Sequence, residues 1–363
     1  MATDELRVVI AGGGTGGHLY PGIAVARELV VRRPDARVTF AGTALGLESR
    51  VVPREGFELD VIRSAGLKGK SGAAFARGML LMPMGAVDAW RILSARRPHV
   101  VIGVGGYSSG PVVLMAALRG VPTMLLEQNA VPGLTNRLLA PVVQAAAVAY
   151  ESTAKRFGPK AIVSGNPVRP EFARSAAVAA DVRTAGPVSL LVFGGSQGAH
   201  AINTAMAEAA RLLTTDVVAQ IVHQTGDRDV ELVRQAYGEA GVKAEVEPFL
   251  YDMSTRLMAA DLVICRAGAT TLAELTAAGR PAILIPLPTA TDDHQRKNAE
   301  ALAAQGAAEV LLQADATGQR LADVIRGLAV DVARRRRMAV AARALARLDA
   351  ARIIVDRALA LAT

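Results

Sequence analysis

The chain repeats itself. VVIAGGGTGGH, Val8 to His18, and LLVFGGSQGAH, Leu190 to His200, match position by position, each residue of the second copy lying 182 places after its partner. Both contain four apolar residues, paired glycines, two variable positions, a third glycine, a small residue and a histidine. An apolar run that feeds a glycine-rich turn and then a helix opens a doubly wound, parallel α/β unit. Two copies therefore call for two such units. Ligands of these sheets lie beyond the carboxyl ends of the strands, so two domains facing a central cleft are expected.

The rest of the chain fits that plan. LRVVIAG, a helix near Pro21 to Arg33, RVTFAG, HVVIGVGG, VPTMLLEQ, AAAVAYES and AIVSG alternate strand-like and helical segments. After the second copy come VVAQIVHQTG, VKAEVEPFL, DLVICRAG and RPAILIPLP, and this alternation argues for parallel strands joined by helical crossovers. The boundary is expected near SGNPVRPEF, Ser164 to Phe172, with a polar linker through Gly186. At 363 residues, 51% hydrophobic and only 4% aromatic, the chain has the length and the aliphatic strands for two cores.

A net charge of +8 and a pI near 10.0 favour anionic partners, whether nucleotide phosphates, anionic lipid or nucleic acid, and charge alone does not choose among them. One cysteine, Cys265, excludes a disulfide framework and suits a reducing cytosol. MATDELRVVI lacks the basic and apolar segments of a secretory signal. LLAPVVQAAAVAY, the nearest approach to a membrane span, is broken by Pro141 and Gln144. A cytosolic chain is expected, with peripheral membrane contact left open.

Gly12, Gly14 and Gly17 have the GxGxxG spacing of a dinucleotide loop, which also needs an acid at the end of the second strand for the ribose. That strand ends Phe40-Ala41-Gly42-Thr43, without one. A phosphate cradle is the better reading, since five glycines in six positions exceed what a turn needs and a helix N-terminus follows. IGVGGYSSGP, Ile102 to Pro111, is a second such loop, and FGGSQGAH, with the Ser196 hydroxyl, is a third.

His18 falls in the first turn of the helix, where the macrodipole favours a neutral imidazole able to take a proton. A histidine that only bonds its loop is an equal alternative. Glu127 and Asn129 emerge at a strand's carboxyl end, the usual place for functional polar groups in such sheets. In CRAGATTLAELTAAG, Thr271 and Glu274 match a capping box, and a carboxylate for ribose hydroxyls competes with it. Asp227-Arg228-Asp229 has DxD metal spacing but the setting of acids in a helix's first turn, and Asp292-Asp293-His294 lacks spaced partner ligands. Arg334 to Arg337 read as a solvated helix face. Met79, Leu80, Met82 and Trp90, with Lys68, Lys70, Arg77, Arg91, Arg96 and Arg97, suit an apolar patch rimmed by cations for an anionic membrane, against an ordinary buried helix face.

GGGTGGHLYPGIAVA, GVGGYSSGP, EQNAVPGLTNR, SGNPVR, GGSQGA, HQTG, CRAGATTLAE and HQRKNA occur in an order that resembles a family of bacterial glycosyltransferases. Its members add N-acetylglucosamine to undecaprenyl-diphospho-N-acetylmuramoyl-pentapeptide in peptidoglycan synthesis. The resemblance implies the GT-B fold of two Rossmann-like domains: an acceptor and membrane-binding domain, 1–163, and a donor domain, 164–341, with a last helix, 342–363, packing back on the first. It implies a peripheral enzyme on the cytoplasmic side of the cell membrane, inverting and metal-independent, with no cofactor and no nucleic-acid partner. The donor UDP-N-acetylglucosamine is expected at Thr15, Gly16, Gly17, Asn129, Arg169, Ser196, Leu250, Ala269, Thr270, Thr271, Leu272, Ala273, Glu274 and Gln295. Arg169 and Ser196 would meet the diphosphate, Glu274 the ribose and the Leu250 backbone the uracil, while the first two glycine loops would hold the acceptor diphosphate. His18, Tyr107 and Glu127 match positions implicated in activity, with His18 the expected base and Glu127 the runner-up. The chain departs from the family's pattern at His200, where arginine is common, and at His294, where a second glutamine precedes Gln295. A UDP-sugar epimerase of similar fold is the alternative, and a nicotinamide-dependent oxidoreductase a more distant one.

Overall fold

The computed structural model describes residues 5–64, 72–172, 186–195 and 198–363, with the backbone alone for 72–82. Lys68, Lys70 and Ser196, and the side chains of Arg77, Met79, Leu80 and Met82, lie outside the described residues. The chain divides into two compact units, Met1–Arg169 with Arg347–Thr363, and Pro170–Ala346.

In the first unit β1 (Arg7–Gly12), β2 (Arg37–Gly42), β3 (Glu58–Val61), β4 (Val100–Gly105), β5 (Thr123–Glu127), β6 (Ala145–Val148) and β7 (Ala161–Val163) form one parallel sheet in the order β3-β2-β1-β4-β5-β6-β7. Successive strand residues face opposite sides. Val8 and Ile10 pack with Leu19, Ile23 and Leu29 of the helix Gly16–Arg32 and with Ile354 and Ala358 of the terminal helix Ala350–Ala362. Val9 and Ala11 pack on the other side with Ala89, Leu93, Val112 and Val113. Each valine, leucine or isoleucine among these, fully buried, contributes about 1.5–3 kcal/mol, which is why these strands read as continuous apolar runs.

The second unit repeats the plan with β8 (Val188–Phe193), β9 (Val218–Gln224), β10 (Ala244–Glu247), β11 (Leu262–Cys265), β12 (Ala282–Leu284) and β13 (Ala308–Val310), in the order β10-β9-β8-β11-β12-β13. Val188, Leu190 and Val192 meet Ile202 and Met206 of the helix His200–Ala210 and Leu321, Ile325 and Leu328 of the helix Gly318–Val330. In both sheets the strand order reverses beside the strand that carries a glycine loop, between β1 and β4 and between β8 and β11. A ligand crevice opens at such a switch point.

Three local expectations need correction. The first helix starts at Gly16, ahead of Pro21, because the Thr15 carbonyl already accepts from both His18 and Leu19. The helix after β11 starts at Ala269 with Gly268 in extended conformation as its N-cap, so Thr271 is an interior residue and no capping box with Glu274 forms. Arg335 is fully buried among the four consecutive arginines and donates to the Leu328 and Ala329 carbonyls that end the preceding helix. Arg334, Arg336 and Arg337 are exposed.

Candidate functional site

The first two glycine loops interlock. A Cβ on Gly12 would lie 2.3 Å from the Gly105 carbonyl oxygen, and one on Gly106 would lie 2.5 Å from that of Gly13, so side chains are excluded at both contacts. The Gly13 N–H donates to Gly105. The Gly14 N–H donates to Glu48 at 2.7 Å, and the other oxygen of this fully buried carboxylate accepts the Thr43 N–H and hydroxyl at 2.8 and 2.7 Å. Burial pushes the Glu48 carboxyl up, and these donors more than reverse it, holding it below the usual carboxylate range. An acid does follow the second strand, five residues past Thr43, but it is spent inside the loop. An anion at this loop must then be met by the helix's first turn, in which Gly16, Gly17 and His18 are half-buried.

His18 lies against the end of β4, with its Nδ1 3.3 Å from Gln128 Oε1. Glu127 is buried at the end of β5. One of its oxygens accepts the Asn129 N–H and side-chain amide at 3.0 and 3.3 Å, and the other accepts the Gly133 N–H and the Asn136 amide, both at 2.9 Å. Four donors match the four lone-pair positions of a carboxylate, so Glu127 holds the loop 127–136 in shape. Tyr107 is exposed, and its carbonyl accepts from the Ser64 hydroxyl. Arg169 stacks over the Tyr20 ring, 5.2 Å from the centroid, while that ring fills the space beside Gly16. A planar guanidinium can stack and still present N–H groups at its edge.

In the second unit Gly198 has φ of 72°, and a Cβ there would lie 1.7 Å from the Thr225 carbonyl oxygen, so glycine is obligatory. Gln224 bridges the loop to the segment after β10: its amide nitrogen donates to the Gly195 carbonyl at 2.8 Å and its oxygen accepts from the Leu250 N–H at 2.9 Å. Glu274 is buried on the helix Ala269–Ala278, which starts beside the glycine loop because β11 neighbours β8. Ala269 and Leu272 are buried, and Thr270, Thr271 and Ala273 are half-buried. The Gln295 side-chain oxygen accepts from the Leu287 N–H at 3.0 Å.

A polar chain runs from this loop into the core. Asn203 donates to the Thr225 carbonyl and to Asp229, so its oxygen faces His223 Nε2, which must carry a proton. His223 Nδ1 then accepts from the Tyr237 hydroxyl at 2.7 Å. At the other end His200 Nδ1 lies 3.0 Å from Asp229. Burial raises the Asp229 carboxyl, and Asn203 and His200 outweigh it, leaving it below its ordinary value. Asp229 is thus engaged within this network, and among the described residues no cluster of three metal-ligating acids, cysteines or histidines occurs. Glu48, Gln128, Gln224 and the His200–Asp229 pair were not singled out by sequence. Gln128 and Gln224 stand inside recognised motifs, EQN and HQTG, and were legible there as polar residues at strand ends.

The exposed part of the helix Gly72–Arg96 shows Met84, Val87 and Trp90, and Leu114 and Leu118 are exposed on the helix Ser109–Leu118 packed beside it. Arg119 stacks over Trp90 at 4.5 Å. No described helix is long and apolar enough to cross a membrane.

Two parallel units, each with a glycine loop at its switch point, have the architecture of the GT-B fold, and the match of residues 8–148 and 189–354 to the N-terminal and C-terminal domains of glycosyltransferase family 28 makes the chain a glycosyltransferase. The chain is 46% identical over 354 residues to the UDP-N-acetylglucosamine–N-acetylmuramyl-(pentapeptide) pyrophosphoryl-undecaprenol N-acetylglucosamine transferase of Geobacter metallireducens, covering 97% of each chain. Its fold matches the crystal structure of Acinetobacter baumannii MurG with a TM-score of 0.80 at 31% identity, covering 98% of this chain and 99% of that one. The chain belongs to the MurG family and is a hexosyltransferase. A UDP-GlcNAc 2-epimerase from Neisseria meningitidis shares the fold at a TM-score of 0.68 and 14% identity, covering 97% of this chain and 100% of that one. At that identity the likeness speaks for architecture alone.

Proposed function

We propose that this chain moves N-acetylglucosamine from UDP-N-acetylglucosamine to the C4 hydroxyl of undecaprenyl-diphosphate-linked N-acetylmuramoyl-pentapeptide in one inverting displacement. The observation that carries the reading is the full-length identity to a transferase of that name. The C4 oxygen attacks the anomeric carbon on the face opposite UDP, and a β(1→4) bond forms. The bond from the anomeric carbon to the phosphate oxygen breaks, and its electron pair leaves with UDP. The hydroxyl proton goes to His18.

His18 is favoured over Glu127 because the Glu127 carboxylate already carries four N–H donors, and a base needs a lone pair aimed at its substrate. Tyr107, exposed at the second glycine loop, is assigned to the acceptor. Thr15, Gly16, Gly17 and Asn129 contribute to donor binding, and Arg169 supplies the cation for the departing diphosphate, together with Ser196 and the helix at His200. Glu274, on a helix that Gly268 caps, takes the ribose hydroxyls, with Ala269 to Ala273 and Gln295 around the sugar nucleotide. The Leu250 backbone takes the uracil, which requires its N–H to be shared with or released by Gln224.

Trp90, Met84, Val87, Leu114 and Leu118, with Arg119 stacked over Trp90, form the patch we assign to an anionic membrane on its cytoplasmic face; Arg96, expected at its rim, is paired with Asp60 and Glu58 instead. Incubation of the purified protein with both substrates in EDTA tests the reaction. Sugar transfer is expected. Absence of transfer, transfer only with added divalent metal, or turnover of the donor without acceptor would overturn it.

A further inference from the structure

We propose that Gln128 positions His18 for proton abstraction by fixing its ring tautomer, an inference that rests on His18 as the base. Gln128 follows β5 directly and is 2% exposed. Its amide has one workable orientation. The Val104 carbonyl, 3.0 Å away, can only accept, so the amide nitrogen faces it. The amide oxygen therefore faces His18 Nδ1 at 3.3 Å, and since that oxygen can only accept, Nδ1 carries the hydrogen. In a neutral imidazole the lone pair then sits on Nε2, the nitrogen away from Gln128. The opposite tautomer would set two lone pairs against each other in a partly buried contact.

The ring is placed by the same strand end. A Cβ on Gly105 would lie 2.8 Å from His18 Nδ1 and 3.0 Å from Cε1, so the absent side chain is the space the imidazole occupies. Val104 orients the glutamine, and Gly105 next to it receives the histidine. An amide also orients without charge. A carboxylate in its place would stabilise the imidazolium and hold the abstracted proton, whereas the glutamine leaves the ring readily returned to its neutral form.

The test combines nitrogen-15 spectra of the His18 ring in the full-length protein with kinetics of Gln128→Met and Gln128→Glu, His18→Ala providing the assignment. The wild-type ring should show a protonated Nδ1 and an unprotonated Nε2. Gln128→Met, similar in length but without the acceptor, should mix the tautomers and lower kcat about 10- to 100-fold while the KM for UDP-N-acetylglucosamine stays within about two-fold. Gln128→Glu turns a carboxyl oxygen toward the Val104 carbonyl, so it should be held protonated there, keep the Nδ1–H tautomer and recover most of the kcat that the methionine variant loses. If the methionine variant does not fold, the wild-type spectrum still decides. A protonated Nε2 in the wild type, or a methionine variant that leaves both tautomer and kcat unchanged, would overturn the role of Gln128. If His18→Ala retains kcat and its acid limb, the reading of His18 as base fails first, which separates the two failures.

Discussion

The Glu48 carboxylate lies 2.7 Å from the backbone nitrogen of Gly14 and accepts an N–H that a phosphate would otherwise take. The loop that carries the GxGxxG spacing is thus partly filled by its own protein. The carboxylate also stands where a Cβ on Gly13 or Gly46 would fall, so the surrounding glycines are shaped to it.

Replacing Glu48 with Gln should cost about 2 kcal/mol at pH 8, because charge-assisted bonds to the Gly14 and Thr43 N–H groups are lost and an amide hydrogen faces a donor. The folded carboxyl titrates below its ordinary value, so its contribution is present above the usual carboxylate range and disappears as pH falls through the lowered value. Urea unfolding at pH 8 and in acid should show the gap between wild type and variant closing. A gap independent of pH would contradict the assignment.

Glu127→Gln should lower kcat about 10- to 100-fold and also lower the unfolding midpoint, since an amide nitrogen would confront two of the four donors now on the carboxylate. The acid limb of the kcat–pH profile should stay. Its disappearance in Glu127→Gln, measured against wild type, would make Glu127 the base.

Glu274→Ala should raise the KM for UDP-N-acetylglucosamine about 10- to 100-fold and leave that for the lipid-linked acceptor unchanged, because a carboxylate accepting two hydroxyls is lost from the donor alone. Competition by UDP and by 2′-deoxy-UDP supplies the check. Wild type should prefer UDP, and the variant should bind both alike. An unchanged preference would remove Glu274 from the ribose.

His223 is fully buried and neutral, and burial pushes it from 6.5 down to about 3. The unfolded chain takes up a proton that the folded one refuses, so stability should fall as pH drops from about 6.5 toward 3, by about 1 kcal/mol per pH unit from this group. His223→Gln should show a shallower slope in pH-dependent urea unfolding. Equal slopes would contradict a neutral His223.

The architecture was legible because apolar strands, glycine turns and helices recur at fixed spacing, and the echo of Val8–His18 in Leu190–His200 marks the first strand and the helix start of each sheet. What escaped depended on contacts between distant segments. A search for an acid ending at Thr43 passes over Glu48, which returns from a helix turn to reach Gly14. Thr271 matched a cap in pattern, yet Gly268 takes the position because it adopts the extended conformation three residues earlier. Arg335 could not be told from its exposed neighbours, since only the fold aims it at the Leu328 carbonyl. Gln128 lay unnoticed between Glu127 and Asn129, and its meaning needs Val104 and His18 around it.

The central claim is a single displacement at the anomeric carbon, and the configuration of the product's new glycosidic bond tests it most directly. Proton NMR of the disaccharide made from UDP-N-acetylglucosamine, whose sugar is α-linked, should show a β-linked N-acetylglucosamine on C4 of the muramoyl residue. An α-linked product, or free N-acetylglucosamine without transfer, would contradict the account.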